Sequence, residues 1–104
     1  MEMQRGRRRR GRRGRIPNPV YIGKQPAAEI FMPQPSSSKP PIFIEPAELE
    51  TLRLVDLEDL SQEEAGIRMG VSRGTIWRLL HGARKKIAQA LTEGRRIQIS
   101  AERT

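Results

Sequence analysis

The chain has 104 residues, a net charge of +8 and no cysteine, which leaves room for one small domain with tails. The absence of cysteine excludes disulfides and thiolate chemistry, and a single histidine, His81, argues against a histidine metal site. No apolar run approaches the roughly 18 residues of a membrane span, and the arginine-rich start lacks the apolar core of a signal peptide. We therefore expect a soluble, cytoplasmic protein with no metal, no cofactor and no membrane contact.

Residues 1–15 form a basic arm. Eight arginines stand against Glu2, so this segment carries +7 of the net charge. Few apolar side chains are present to offset the entropy cost of ordering, and we expect the arm to be disordered when free. Such a segment can neutralise phosphates and lie in a minor groove, or alternatively serve as a solubilising or nuclear-import-like charge run. The arm's candidate phosphate contacts are Arg7, Arg8, Arg9, Arg10, Arg12, Arg13 and Arg15.

Residues 16–41 have the composition of a linker. They contain seven of the eight prolines and a run of three serines, Ser36–Ser38, which favour extended or irregular backbone. Two short apolar stretches, Val20–Ile22 and Ile30–Met32, could lie over a helical domain. A disordered linker is nevertheless the interpretation that the composition favours.

Residues 42–100 are predicted to form the folded domain. Ile42–Ile44 favours β structure, and Ile97–Ile99 alternates apolar and polar side chains as a half-buried strand does. The two segments could pair as a short two-stranded ribbon that ties the ends of the domain together.

The first helix of this domain is predicted from Pro46 to about Leu57, with proline in its first turn. Its surroundings are acidic: residues 45–60 hold six acids and one arginine. Leucines spread over more of the helix than a single apolar stripe needs. Either the extra leucines pack on the linker or they face a second subunit, so the pattern is compatible with a homodimer.

Residues 61–80 predict two capped helices joined by a tight turn. Ser61 and Glu64 form a capping box at the start of the first helix, and Gly70 can end it in the left-handed conformation. Ser72 then caps a second helix that starts at Arg73 and continues to about Thr92. Two helices so joined define a helix-turn-helix, and the predicted fold is an all-α, three-helix domain, optionally with the short ribbon.

The second helix of this pair presents the candidate readers of DNA sequence. Ile76 and Leu79 must face inward, and the first turns of a recognition helix enter the major groove. Arginine can donate two parallel hydrogen bonds to guanine, which makes it the residue best suited to base contact. The outward-facing candidates for base contact are Ser72, Arg73, Gly74, Thr75, Trp77 and Arg78. The candidates for additional phosphate contacts further along are His81, Arg84, Lys85 and Lys86.

Glu63 and Glu64 serve the helix dipole and the capping box better than an acid/base pair. No catalytic residues are therefore predicted, and an enzyme is the least favoured class.

Three motifs in residues 49–91 connect this chain to a known family: LRLxDLExLSQEEA, MGVSRxTxxRLL and ARKKIAxAL. They resemble an uncharacterised family of small archaeal and bacterial proteins described as predicted DNA-binding proteins, with a helix-turn-helix similar to region four of sigma factors. Arg12–Ile16 and Phe31–Pro33 are also similar to segments of that family. The resemblance implies a three-helix DNA-binding domain rather than a polymerase subunit, and by position it gives Arg73, Thr75 and Arg78 the role of base contacts.

The function expected from the sequence is sequence-specific binding to double-stranded DNA, as a transcriptional regulator associated with the nucleoid. The alternative is an RNA-binding or nucleoid-type protein in which the arm dominates. A third hypothesis is an adaptor that docks on the transcription machinery.

Overall fold

The computed structural model describes residues 20–100 of the protein, so the predicted arm of residues 1–15 lies outside the described residues. In chain order the elements are β1 (Ile30–Phe31), β2 (Ile42–Ile44), α1 (Pro46–Leu52), a π-helical turn (Arg53–Leu57), α2 (Gln62–Met69), α3 (Arg73–Glu93) and β3 (Ile97–Ile99). Within this part of the chain, no helix is long and apolar enough to cross a membrane.

The three strands form one sheet in the order β1-β3-β2. The predicted pairing of β2 with β3 is confirmed, with Ile42 opposite Ile97 in parallel register. β1 pairs antiparallel with the other side of β3, where Ile30 lies opposite Gln98. The all-α prediction is therefore wrong: three helices and a small sheet make a mixed α/β fold. A pair of strands alone is marginal, and the third strand with the helices behind the sheet supplies the missing support.

Residues 20–41, which were predicted to be part of a linker, lie on the helices and donate to them. The Tyr21 N–H donates to the Met69 carbonyl at 3.0 Å, and the Ser37 N–H donates to the Gly94 carbonyl at 3.1 Å. Proline-rich backbone cannot build its own helix, so its polar groups find partners on the domain instead. The same prolines restrict the unfolded chain, which lowers the entropy cost of this docking.

Two apolar clusters hold the domain together. The first joins Leu54 to Ala65, Met69 and Ile76, at the meeting of α1's π-helical extension with α2 and α3. The second lies under the sheet, where Ile42, Ile44 and Ala90 are buried. The surplus leucines of the first helix thus divide between environments. Leu54 is buried, Leu49 packs at the sheet, and Leu57 remains 73% exposed.

The predicted caps of α2 and α3 are confirmed. Ser61 Oγ accepts from the Glu64 N–H at 3.0 Å, while Glu64 Oε1 accepts from the Ser61 N–H at 2.9 Å. Gly70 ends α2 with φ 72°, a left-handed conformation that glycine adopts without a Cβ clash. Ser72 Oγ then accepts from the Thr75 N–H at 3.1 Å and begins α3. Local side-chain chemistry alone therefore sets the boundaries of this helix pair.

Glu50 ties the segment before β1 to α1. Its carboxylate is 3% exposed and accepts two hydrogen bonds from Arg53, at 3.0 and 2.7 Å. A third comes from the Gly23 N–H at 2.8 Å. Burial raises the pKa of Glu50, but these hydrogen bonds outweigh it, and the pKa lies below its usual value of 4.5. Since the folded pKa is depressed, the stabilisation is present above the unfolded pKa and is lost as pH falls through the folded value.

Glu50→Gln is expected to lower the free energy of unfolding at pH 7 by about 2 kcal/mol, because a buried, hydrogen-bonded charge partner is removed. The difference from the wild type should shrink as the pH falls below about 4, where the wild-type carboxylate also loses its charge. Urea unfolding at pH 7 and pH 3 measures both effects. Glu58→Gln is the matched control, since Glu58 contacts the same Arg53 at 3.2 Å but is 50% exposed. An equal loss in both variants would contradict the assignment.

Candidate nucleic-acid interface

Small residues bring α2 and α3 into close contact. Ala65, Gly66 and Met69 of α2 are buried, and Ile76 of α3 is fully buried against them. A Cβ at Gly66 would lie 2.7 Å from the Val71 carbonyl oxygen, so no larger residue fits without moving backbone. The turn between the helices is therefore held against α2, and the first turns of α3 are fixed in direction.

The structure brings the predicted base-contact residues together on one exposed face at the start of α3. Ser72, Arg73, Gly74, Trp77 and Arg78 are all exposed. Thr75 differs, because it is half-buried and its hydroxyl lies 2.9 Å from Ser72 Oγ. Thr75 is thus engaged in the helix cap and has less freedom to contact a ligand than its neighbours.

Trp77 and His81 form a stacked aromatic pair that the sequence did not lead us to predict. Their rings stack with centroids 4.4 Å apart and planes inclined by 19°, and Trp77 is 51% exposed. A spacing of four residues places two side chains over one another on a helix, and this spacing could have revealed the pair. The stack gives the exposed face a flat, rigid aromatic edge next to the arginines.

The predicted phosphate contacts of α3 fall into two groups. Arg84 Nη2 lies 2.6 Å from Asp56 Oδ1, and Lys86 Nζ lies 2.8 Å from Glu48 Oε1, so these two bases pair with carboxylates of the first helix. The hydrogen bond from Arg84 lowers the pKa of Asp56. Lys85 is exposed and makes no salt bridge to a carboxylate within residues 20–100. Periodicity could not distinguish these bases, since their partners lie 28 and 38 residues away.

Two arginines of the exposed face, Arg73 and Arg78, likewise make no salt bridge with any carboxylate that the structure describes. Five of the eleven lysines and arginines in residues 20–100 pair with carboxylates, and Arg73 and Arg78 are two of the six that do not. The positive end of the α3 dipole lies at the same place, at the N-terminus of a 21-residue helix. The face is suited to a polyanion.

An apolar groove of about 420 Å³ lies on another part of the surface. It is lined by α1, its π-helical extension, the segment before β1, and the strands β1 and β3, with Phe31, Leu57 and Ile99 among its residues. None of its lining residues belongs to α2 or α3. The groove and the basic face are therefore separate surfaces.

Gly74 lies on the basic face and, being glycine, has no Cβ there. A Cβ there would have open space, its nearest neighbour being Ser72 Oγ at 3.9 Å. Gly74→Ala is expected to raise the free energy of unfolding by about 0.5 kcal/mol through helix propensity. It should also weaken duplex binding if the tip of α3 approaches bases closely. Thermal unfolding and a binding titration test the two effects, and a gain in stability with unchanged affinity would argue against close approach at Gly74.

The fold and this face define a small α/β domain with a capped helix pair and a basic face at the start of α3. A family model described as "Protein of unknown function DUF134" matches residues 3–102, and the chain belongs to that family. It is 48% identical over 88 residues to a UPF0251 protein of Archaeoglobus fulgidus, covering 85% of this chain and 84% of the relative. It is also 59% identical over 81 residues to a UPF0251 protein of Thermococcus kodakarensis, covering 75% of this chain and 72% of the relative. No solved structure matches the chain.

Proposed function

We propose that the protein binds double-stranded DNA in a sequence-specific manner and acts as a transcriptional regulator, with α2, the turn and α3 serving as a helix-turn-helix. The observation that carries the proposal is the exposed start of α3. There Arg73 and Arg78 are both exposed within the first two turns of α3, and neither makes a salt bridge with a carboxylate among residues 20–100.

In this proposal the first turns of α3 enter the major groove while α2 lies across the backbone. Arg73 and Arg78 donate to guanine O6 and N7, and the exposed Gly74 between them leaves room for the bases. The Trp77–His81 stack packs on the sugar-phosphate backbone at the edge of the groove. Lys85 holds a phosphate further along α3.

Arg84 and Lys86 take a secondary place in the same proposal. Each already satisfies a carboxylate, so a phosphate must compete with Asp56 or Glu48 for it. Exchange of one anion for another yields less binding energy than engagement of an unpaired cation. Their ion pairs with α1 and its π-helical extension hold this side of α3 in position, and these two residues supply only a minor part of the affinity for phosphate.

Selection of bound oligonucleotides from a random duplex pool, with the full chain, tests the proposal. A short enriched sequence bound roughly 1,000-fold or more tightly than random duplex would support it. Equal affinity for all duplexes would favour nucleoid-type binding instead. Preference for structured RNA in direct competition would favour the RNA-binding alternative, and partner protein retained after nuclease treatment would favour the adaptor.

A further inference from the structure

The π-helical turn that follows α1 shapes one wall of the apolar groove. In a regular α-helix, residues five apart point about 140° away from each other. In this turn the Glu58 N–H donates to the Arg53 carbonyl, five residues back, at 2.9 Å, and the side chains of the same two residues pair at 3.2 Å. Leu52 and Leu57 have the same spacing of five, and both line the groove. A helical turn of the kind often found at functional sites therefore brings two leucines to one surface.

Leu57 projects from this surface instead of joining the core. Its side chain is 73% exposed, whereas Leu54 in the same π-helical turn is 1% exposed. Phe31 of β1 lines the same groove and is 53% exposed. Exposed apolar side chains that share one surface are typical of an interaction site. The groove of about 420 Å³ therefore lies beside two large apolar side chains that are suited to burial against a partner.

The groove carries no net charge. The full chain carries +8, so two copies repel each other unless they meet at a surface without excess charge. The groove is lined by two bases, Lys24 and Arg53, and by two acids, Glu50 and Asp56. Arg53 lies 2.7 Å from Glu50, and Asp56 lies 2.6 Å from Arg84. These charges are compensated within one copy, and the exposed Lys24 can keep its ammonium group in water at the edge. Contact between two such surfaces therefore causes little electrostatic repulsion.

A projecting side chain and a recess occur together on this surface, as a two-fold contact requires. In an isologous dimer one patch meets the same patch of the second copy, so a projection on each subunit must find a recess on the other. Leu57 supplies the projection and the groove supplies the recess. We propose that two copies of this chain associate through the groove, each inserting Leu57 into the groove of the other. No residue of α2 or α3 lines the groove, so both basic faces stay uncovered in the dimer.

The proposed dimer is small and is expected to dissociate reversibly. Thirteen residues line the groove, fewer than the roughly 20–30 residues that each side of a standard interface contributes. We expect a dissociation constant on the order of 10 μM, in the range of transient contacts. Sedimentation equilibrium of the full chain measures this constant. The protein concentrations should extend from about tenfold below to tenfold above it, at about 0.15 M salt, where repulsion between the copies is screened.

Leu57→Glu is expected to raise the dissociation constant at least roughly 30-fold, because it places an unpaired charge in an apolar recess. Leu91→Glu is the matched control, since Leu91 is 76% exposed on α3 and does not line the groove. It introduces the same charge and should dimerise as the wild type does. Both leucines are exposed, so neither substitution should disturb the fold. Equal thermal midpoints by circular dichroism, measured at low protein concentration where all three proteins are monomeric, establish this.

Three results would overturn the proposal: a full chain that stays monomeric over the whole range, a Leu57→Glu variant that dimerises as the wild type does, or a Leu91→Glu variant that dissociates as much as Leu57→Glu. The proposal does not depend on DNA binding, and the two can fail separately. A monomer that selects a short DNA sequence would overturn only the dimer. A dimer without any sequence preference would contradict only the proposed function.

Discussion

Replacement of both Arg73 and Arg78 by alanine is expected to abolish discrimination between the selected duplex and random duplexes. Each bidentate arginine–guanine pair contributes about 1–3 kcal/mol of discrimination. Together the two losses correspond to roughly a 30-fold to more than 1,000-fold loss of affinity for the selected duplex. Affinity for random duplex should fall far less, because only phosphate attraction is involved there. Parallel titrations with both duplexes separate these effects.

The control for this double variant removes the same charge elsewhere. Lys24→Ala with Lys39→Ala also lowers the net charge by two, and both lysines lie between the arm and β2, outside α2 and α3. It should retain the ratio of specific to random affinity and show only a small, salt-dependent weakening. If the arginine and lysine pairs have equal effects on the selected duplex, base contact by Arg73 and Arg78 is refuted. If the arginine variant keeps its sequence preference, the residues that contact the bases lie elsewhere on the protein.

Ile76→Ala is expected to lower the free energy of unfolding by about 2–5 kcal/mol, the usual cost of a cavity at a fully buried isoleucine. Ile76 is fully buried in the cluster with Leu54, Ala65 and Met69, so its removal also loosens α3 from α2. In a domain of this size that loss is a large fraction of total stability. Urea-induced unfolding, followed by circular dichroism, measures it.

Ile67→Ala provides the matched control in the same helix pair. Ile67 is 77% exposed on α2, and the identical substitution should change the free energy of unfolding by no more than about 0.5 kcal/mol. A comparable loss at the two positions would mean that the burial of Ile76 does not govern the helix contact. If Ile76→Ala is folded at low temperature, its duplex affinity should also fall, because α3 is no longer fixed in direction.

The helix pair shows how far sequence reasoning reaches. Ser61 with Glu64, Gly70 and Ser72 are signals that act over three or four residues, and each had the predicted role. The pairing of Ile42–Ile44 with Ile97–Ile99 was also predicted, because β-favouring runs at the two ends of a domain have few other partners. The exposed face of α3 followed from periodicity once Ile76 was placed inside.

Other features depended on contacts that no local pattern encodes. Ile30–Phe31 stands among prolines and gained strand structure only because β3 offers it a second edge. A Cβ at Gly82 in α3 would lie 2.9 Å from a carboxylate oxygen of Glu48 on the opposing helix, so a larger residue there would require the Glu48 side chain to shift. Contacts of this kind depend on how distant elements pack against each other, and neither residue's local sequence predicts its partner.

The sequence by itself determined the caps, the lengths of α2 and α3, the basic face and the charge of the arm, because propensity, capping and helical period are properties of neighbouring residues. Only the tertiary structure decided which cations of residues 20–100 pair with carboxylates and where Tyr21 contacts the helices. Arg84 and Lys86 are paired across the domain, whereas Arg73 and Arg78 make no such pair within residues 20–100. The hydrogen bond from Tyr21 to Met69 spans 48 residues and holds Tyr21 at the C-terminal end of α2. Long-range contacts of this kind are fixed by the folded geometry of the whole domain.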